Sequence, residues 1–213
     1  MLEIIPTIFS NDIREVEEKI LRLEGLVKNV QIDIVDGQYV NNKTIVPSAL
    51  ENIDTNLGLD FHLMTKEPVD WVERAVRGGA DRIIGQIEKM GNQIDFVGKV
   101  GEVGCDVGLA LDISSLVSGL DSQALAGANV ILVMGYPAGF EGQVFDTKAF
   151  EKIKKLSEIR QKEDLSFKIL VDGGVNEINI KEIVKLGADE VAIGRRLFEG
   201  DISENIRKIQ ESI

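Results

Sequence analysis

The sequence predicts a single (β/α)8 barrel spanning residues 1–213. Three observations carry that expectation. Eight short apolar runs recur along the chain, nearly all of them continuous hydrophobics, as strands covered on both faces should be. Amphipathic stretches separate the runs at a spacing of roughly 25 to 30 residues, the length of a βα unit. Polar residues recur at the C-terminal ends of several runs rather than at one crevice, and no GxGxxG follows the first run. That pattern favours a closed barrel over the alternative, a doubly wound open sheet. No linker or shift in composition marks a second domain.

Taken in order, the first run is LEIIPTI (2–8), followed by NDIREVEEKILRLEGL (11–26), which has helical period behind Asn11 as its candidate N-cap. VQIDIV (30–35) is the second strand and LDFHLM (59–64) the third. DRIIGQI (81–87), DVGLALD (106–112) and NVILVM (129–134) are the next three. The sixth strand leads to DTKAFEKIKKLSEIRQKE (146–163), a helix with Asp146 as candidate cap. FKILVD (167–172) is the seventh strand, NEINIKEIVKLG (176–187) a helix with Asn176 as candidate cap, and DEVAIG (189–194) the last strand. A short helix is expected at RRLF (195–198).

Composition narrows the function. A formal net charge of -12 opposes sequence-independent nucleic-acid binding, which needs a basic surface to displace counterions, so any phosphate ligand must be held locally. MLEIIPTIFS has neither a basic n-region nor a long apolar h-region, and no run approaches the roughly 20 apolar residues of a membrane span. The expected location is cytoplasmic. Cys105 is the single cysteine, which leaves no intramolecular disulfide or CxxC pair and suggests a small core residue.

The second strand raises the central question, because Gln31 and Asp33 interrupt a run of β-branched residues. An isolated carboxylate moved out of water costs several kcal/mol or more, in rough terms, so it stays inside only with partners or a task. In a parallel barrel all strand C-terminal ends share one face. Side chains alternate along a strand, so Gln31 and Asp33 share one side, Asp60 and His62 another, and Lys168, Leu170 and Asp172 a third. If those sides point inward, Gln31, Asp33, His62 and Asp172 form one polar cluster over an apolar barrel. A structural hydrogen-bonded network is the plain reading. The chemical reading is a divalent-cation site, since imidazole and carboxylate suit zinc, iron, manganese or cobalt. The glycines of GYPAGFEGQ, DGG and GRR follow strands six, seven and eight, where backbone N–H groups can cradle a phosphate. Ordinary turns are the alternative there.

These segments resemble the ribulose-phosphate 3-epimerase family. QIDIVDGQYVNN (31–42) resembles its metal and base segment, roughly His-x-Asp-x-Met-Asp-Gly-x-Phe-Val-Pro-Asn. IIPTIFSND, FHLM, VMGYPAGFEGQVF and VDGGVN resemble its other segments in the same order, covering nearly the whole chain. The resemblance implies a TIM barrel that interconverts ribulose 5-phosphate and xylulose 5-phosphate with a divalent metal held by two histidines and two aspartates. It implies Asp33 and Asp172 as the two acid/bases and His62 as a metal ligand. Inverting a carbon beside a ketone needs a proton removed on one face and returned on the other, which accounts for two carboxylates. Thr7 stands where the family has a sugar-contacting serine, and Met64 and Met134 would wall the reacting carbons.

Gly139, Gly142, Gly173, Gly174, Gly194 and Arg195 are the expected phosphate residues. The expected partners are a ketose phosphate and further copies of the chain, with no nucleic acid and no membrane. Several residues depart from the family pattern. Gln31 stands at the first histidine ligand, Val35 at a methionine, Asn41 at a proline, Glu141 at a glycine of the phosphate loop and Arg195 at a small residue. An amide oxygen is a poorer zinc ligand than imidazole, which shifts the expected metal toward manganese or magnesium. Glu141 is expected to turn from the ligand or pair with Arg195, leaving Arg196 to solvent. A barrel that binds a sugar phosphate without turnover, and a lyase on a related phosphosugar, are the competing functions.

Overall fold

The computed structural model describes residues 2–213. Strands β1 (Glu3–Ile8), β2 (Asn29–Val35), β3 (Gly58–Met64), β4 (Ala80–Gln86), β5 (Asp106–Leu111), β6 (Val130–Met134), β7 (Lys168–Asp172) and β8 (Glu190–Ile193) close in chain order into one barrel. Every neighbouring pair is parallel, including β1 with β8. All eight predicted runs are strands of this barrel.

The crossovers are less regular than the sequence suggests. Helices α1 (Ile13–Leu23), α2 (Val72–Arg77), α3 (Gln93–Glu102), α4 (Ser122–Ala126), α5 (Lys148–Lys162) and α6 (Ile180–Lys185) follow β1 and β3 to β7. The β2–β3 connection carries one 3-10 turn, Pro47–Leu50, whereas β8 is followed by both α7 (Arg195–Phe198) and α8 (Ile202–Glu211). The three expected caps are each displaced. Asp12 rather than Asn11 caps α1, accepting from Arg14 N at 3.0 Å. Thr147 holds the cap position of α5, while Asp146 accepts from Lys148 N at 2.9 Å just outside it. Asn179 is the cap residue of α6, and Asn176 instead closes the preceding turn by accepting from Ile178 N.

Two sets of apolar side chains result from strand alternation. One set faces the helices and includes Ile8, Ile32, Phe61, Ile83, Leu109, Ile131, Val171 and Val191. The other fills the barrel interior with Ile5, Ile84, Ala110, Leu132, Leu170 and Ala192. Beneath that interior layer the barrel is charged, contrary to the expectation of an apolar barrel. Arg82 pairs with Asp60 and with Glu190, the latter at 2.7 Å, and Lys168 meets Glu190 at 2.5 Å. Buried carboxylates are tolerable there because each has a cation within contact distance. Among the described residues no helix is long and apolar enough to cross a membrane.

Candidate active site

Register brings the polar residues to one level at the C-terminal mouth. Asp33 lies beside His62 across β2–β3, Thr7 beside Gln31 across β1–β2, and Asp172 beside Met134 across β6–β7. His62 is fully buried, and Asp33 and Asp172 nearly so. His62 Nδ1 is 3.1 Å from Asp33 Oδ1 and 3.7 Å from Asp172 Oδ2. Gln31 ties the pair together, donating from Nε2 to Asp33 Oδ1 at 2.9 Å and to Asp172 Oδ2 at 2.6 Å. Thr7 donates to the other oxygen of Asp33 at 3.1 Å. The threonine hydroxyl expected to contact sugar is therefore already engaged with a carboxylate.

The electrostatics are those of a crowded anionic site. Burial raises the Asp172 carboxyl above its ordinary range, and nearby Asp33 raises it further, while the positive charge of His62, when the ring is protonated, and the Gln31 amide pull the other way. Donor atoms of Asp33, His62 and Asp172 lie within 4.8 Å of one another, so the three can hold one ion. The fourth position is conditional. Gln31 presents N–H to the carboxylates, and its Oε1 is buried without a hydrogen-bond partner. Turning the amide over would offer that oxygen to a cation and remove the orphan. The donor set, two carboxylates, one imidazole and one amide oxygen, thus fits a divalent ion of intermediate hardness.

Above these residues opens a cavity of about 650 Å³ lined by Thr7, Met64, Met134, Tyr136 and the loops after β6, β7 and β8. Met64 and Met134 are buried in its wall beside Val35 and Ala138. Gly142, Gly173, Gly174, Gly194 and Arg195 line its far side. The positive φ of Gly173 and Gly174, 105° and 70°, bends the chain where a Cβ on Gly174 would lie 2.8 Å from Phe145 N, so neither position suits a larger residue. Gly139 lines the cavity too, but its carbonyl accepts from Asn42 and it packs on Val40, which marks it as a junction between loops.

At the rim, Glu141 lines the cavity, and burial, then Asp33, raises its carboxyl above the usual range. Of the two arrangements expected for Glu141, turning from the ligand or pairing with Arg195, the pair does not occur among the ion pairs of the described residues. Arg195 instead lies 3.4 Å from Glu199, one helical turn on, with its side chain 71% exposed. Arg196 pairs with Glu177 rather than facing solvent unpartnered. Sequence reasoning missed Gln86, which contacts the far nitrogen of His62. The signal was present in GQIEK, where Gln86, Glu88 and Lys89 end an apolar run.

The chain is similar to known proteins in sequence and in fold. The profile of the Ribulose-phosphate 3 epimerase family matches residues 3–198. A ribulose-phosphate 3-epimerase of Aquifex aeolicus is 31% identical over 209 residues, covering 96% of this chain and 94% of its own. One of Bacillus subtilis is 29% identical over 219 residues, covering both chains in full. Among solved structures, 3-hexulose-6-phosphate synthase from Salmonella typhimurium superposes with a TM-score of 0.69 at 15% identity, covering 99% of this chain and 98% of its own, a likeness of fold alone. With the profile running from the first strand to the helix after the last, the chain belongs to the ribulose-phosphate 3-epimerase family and is an isomerase.

Proposed function

We propose that the chain acts as one domain, residues 1–213, that binds a ketose phosphate and inverts its carbon 3, interconverting D-ribulose 5-phosphate and D-xylulose 5-phosphate. The observation that carries this reading is the pair of buried carboxylates, Asp33 and Asp172, bridged by a single Gln31 nitrogen below an open cavity. Two carboxylates close to one reacting carbon can take a proton from one face and return one to the other. Asp33 and Asp172 are the acid/base pair, each protonated in turn. A crowded anionic site suits that role, because burial brings the Asp172 carboxyl toward neutral pH and lets it carry a proton at intermediate stages. Met64 and Met134 exclude water from the carbon being inverted.

Asp33, His62 and Asp172 would hold a divalent cation, zinc, iron, manganese, cobalt or magnesium, with Gln31 bound weakly through Oε1 or replaced by water. When bound, the cation supplies positive charge beside the developing enediolate oxygens. In this reading backbone N–H groups of Gly142, Gly173, Gly174 and Gly194, all lining the cavity, hold the phosphate together with Arg195, and Gly139 fixes the loop that carries Gly142. With one cysteine and no disulfide possible within the chain, the proposed compartment is the cytoplasm. Self-association is part of the proposal and is tested by sedimentation velocity.

Incubating the protein with ribulose 5-phosphate in deuterium oxide tests the reading. Deuterium entering carbon 3 as xylulose 5-phosphate appears supports it. Ligand-induced stabilisation without exchange would instead indicate a binding barrel, and carbonyl release a lyase.

A further inference from the structure

Behind His62, away from the cavity, lies a chain of hydrogen bonds that the reaction does not use directly. One orientation of the Gln86 amide satisfies both its ends. In it Oε1 accepts from His62 Nε2 at 3.1 Å, while Nε2 donates to Glu88 Oε2 at 2.7 Å and to the Ala110 carbonyl at 3.2 Å. The reverse orientation points Gln86 Oε1 at a carboxylate and a carbonyl, two acceptors, and Glu88, charged and at 2.7 Å against 3.2 Å for the Ala110 carbonyl, is the stronger in deciding which way the amide faces. Glu88 is itself fixed. Tyr39 donates to its Oε2 at 3.2 Å and the Asp112 N–H to its Oε1 at 2.9 Å. Burial and Glu88 both raise the Tyr39 phenol, so it stays a donor. Asp112 in turn accepts from Ala138 N at 2.8 Å, which anchors the relay to the loop after β6.

The polarity of this relay runs one way. A carboxylate can only accept, so Gln86 must donate to it, so Gln86 Oε1 must accept from His62, and the Nε2 of His62 must carry the proton. In the neutral ring the lone pair of Nδ1 then faces Asp33 Oδ1 and Asp172 Oδ2. An electron pair opposed to two anionic oxygens calls for something electropositive between them. We propose that Glu88, acting through Gln86, fixes His62 with Nε2 protonated and Nδ1 bare toward the carboxylates, making Glu88 and Gln86 positioning residues for a cation site. This inference rests on the reading that Asp33, His62 and Asp172 hold a divalent cation. Outer partners that orient a ligating histidine matter for metal affinity on the scale of roughly 10- to 100-fold.

An isosteric substitution reverses the relay. In Glu88→Gln, the new amide keeps its oxygen on the Asp112 N–H and places its NH2 where Oε2 stood. Gln86 then turns its own oxygen to that NH2 and its nitrogen to His62, which favours the tautomer protonated at Nδ1. Gln86→Met removes the acceptor without reversing anything. Because His62 is the only histidine, its two ring nitrogens can be observed directly in 15N-labelled, chelator-treated protein by long-range 1H–15N correlation.

The expected result at pH 8.5 is a protonated Nε2 in the unaltered chain and a bare Nε2 in Glu88→Gln. Cobalt(II) chloride titration followed by visible absorption should show affinity falling by roughly 10- to 100-fold in both variants. Thermal unfolding of the chelator-treated proteins reports whether each variant is folded. A protonated Nε2 in folded Glu88→Gln, with unchanged cobalt affinity, overturns the inference. If the unaltered chain binds no cobalt, the cation reading fails, while the nitrogen pattern still decides whether Glu88 sets the tautomer.

Discussion

Gln31→Leu tests the bridge between the two carboxylates. In the cation-free protein the Gln31 amide donates to Asp33 at 2.9 Å and to Asp172 at 2.6 Å, both acceptors being buried. Hydrogen bonds to charged groups contribute roughly 1.5 to 3 kcal/mol each, so losing both at pH 8 should cost about 3 to 6 kcal/mol. Leucine fills most of the vacated volume, which keeps any cavity contribution small. The loss should shrink in acid. The folded-state value of Asp172 is already raised above its ordinary 3.8, so this group's contribution to stability is fully present below that value and is lost as pH rises through the raised one. Removing the Gln31 donor raises the folded value further. At pH 5 a proton held between the carboxylates replaces the amide, and the cost should fall to about 1 to 2 kcal/mol. Urea denaturation in chelator, followed by the fluorescence of Trp71, the only tryptophan, measures both. Equal losses at the two pH values, or a loss below about 1 kcal/mol at pH 8, would refute the bridging role.

Other perturbations probe the rest of the barrel. Arg82→Leu leaves Asp60 and Glu190 buried without their shared guanidinium, and should destabilise by about 3 to 5 kcal/mol at pH 8 in the same denaturation assay. Burial pushes Asp60 up to about 7 even with Arg82 present, so its stabilising contribution is lost as pH rises through that value, and the variant should be less impaired at pH 5. Arg195→Ala should weaken ribulose 5-phosphate binding about tenfold in calorimetry, because a charge-assisted contact is lost at the rim. Glu141→Gly should leave that affinity equal or higher; weaker binding would mean that the carboxylate holds substrate hydroxyls. Gln31→His should tighten cobalt(II) binding in a visible titration, imidazole being the stronger donor, and unchanged affinity would say that Gln31 lies outside the ligand set.

The strands were legible because burial on both faces leaves long apolar runs, and parity within a run decides which residues share a side. That logic places Gln31, Asp33, His62 and Asp172 together, as the barrel does. It did not reveal the second crossover, where residues 36–57 carry neither a helical period nor a strand period and are held instead by single contacts, such as Asp36 accepting from Tyr39 N and Lys66 N. The Asp60–Arg82–Glu190 network was also hidden. Those residues lie on three strands, and their meeting depends on register, including a shift between β3 and β4 at Leu59/Asp60. The same stagger brings Gln86 behind His62. The helix caps slipped because Asn11/Asp12 offers two capping side chains in a row, and Asn176 and Asn179 compete within one turn. At the rim, sequence named Glu141 and Arg195 but could not choose partners, since Glu199, one turn along the same helix, is the nearer anion.

In the proposed reaction Asp33 and Asp172 serve opposite faces of one carbon. Asp172→Asn should lower turnover by roughly two to four powers of ten, the usual scale for losing a positioned acid or base. The more direct measurement is which epimer still exchanges. With one base left, the enediolate forms from the epimer whose proton faces that base and is reprotonated on the same side. In deuterium oxide, Asp172→Asn should therefore introduce deuterium at carbon 3 of only one of ribulose 5-phosphate and xylulose 5-phosphate, and Asp33→Asn only into the other. Exchange into both epimers at equal rates in either variant, or into the same epimer in both variants, would contradict the two-carboxylate account.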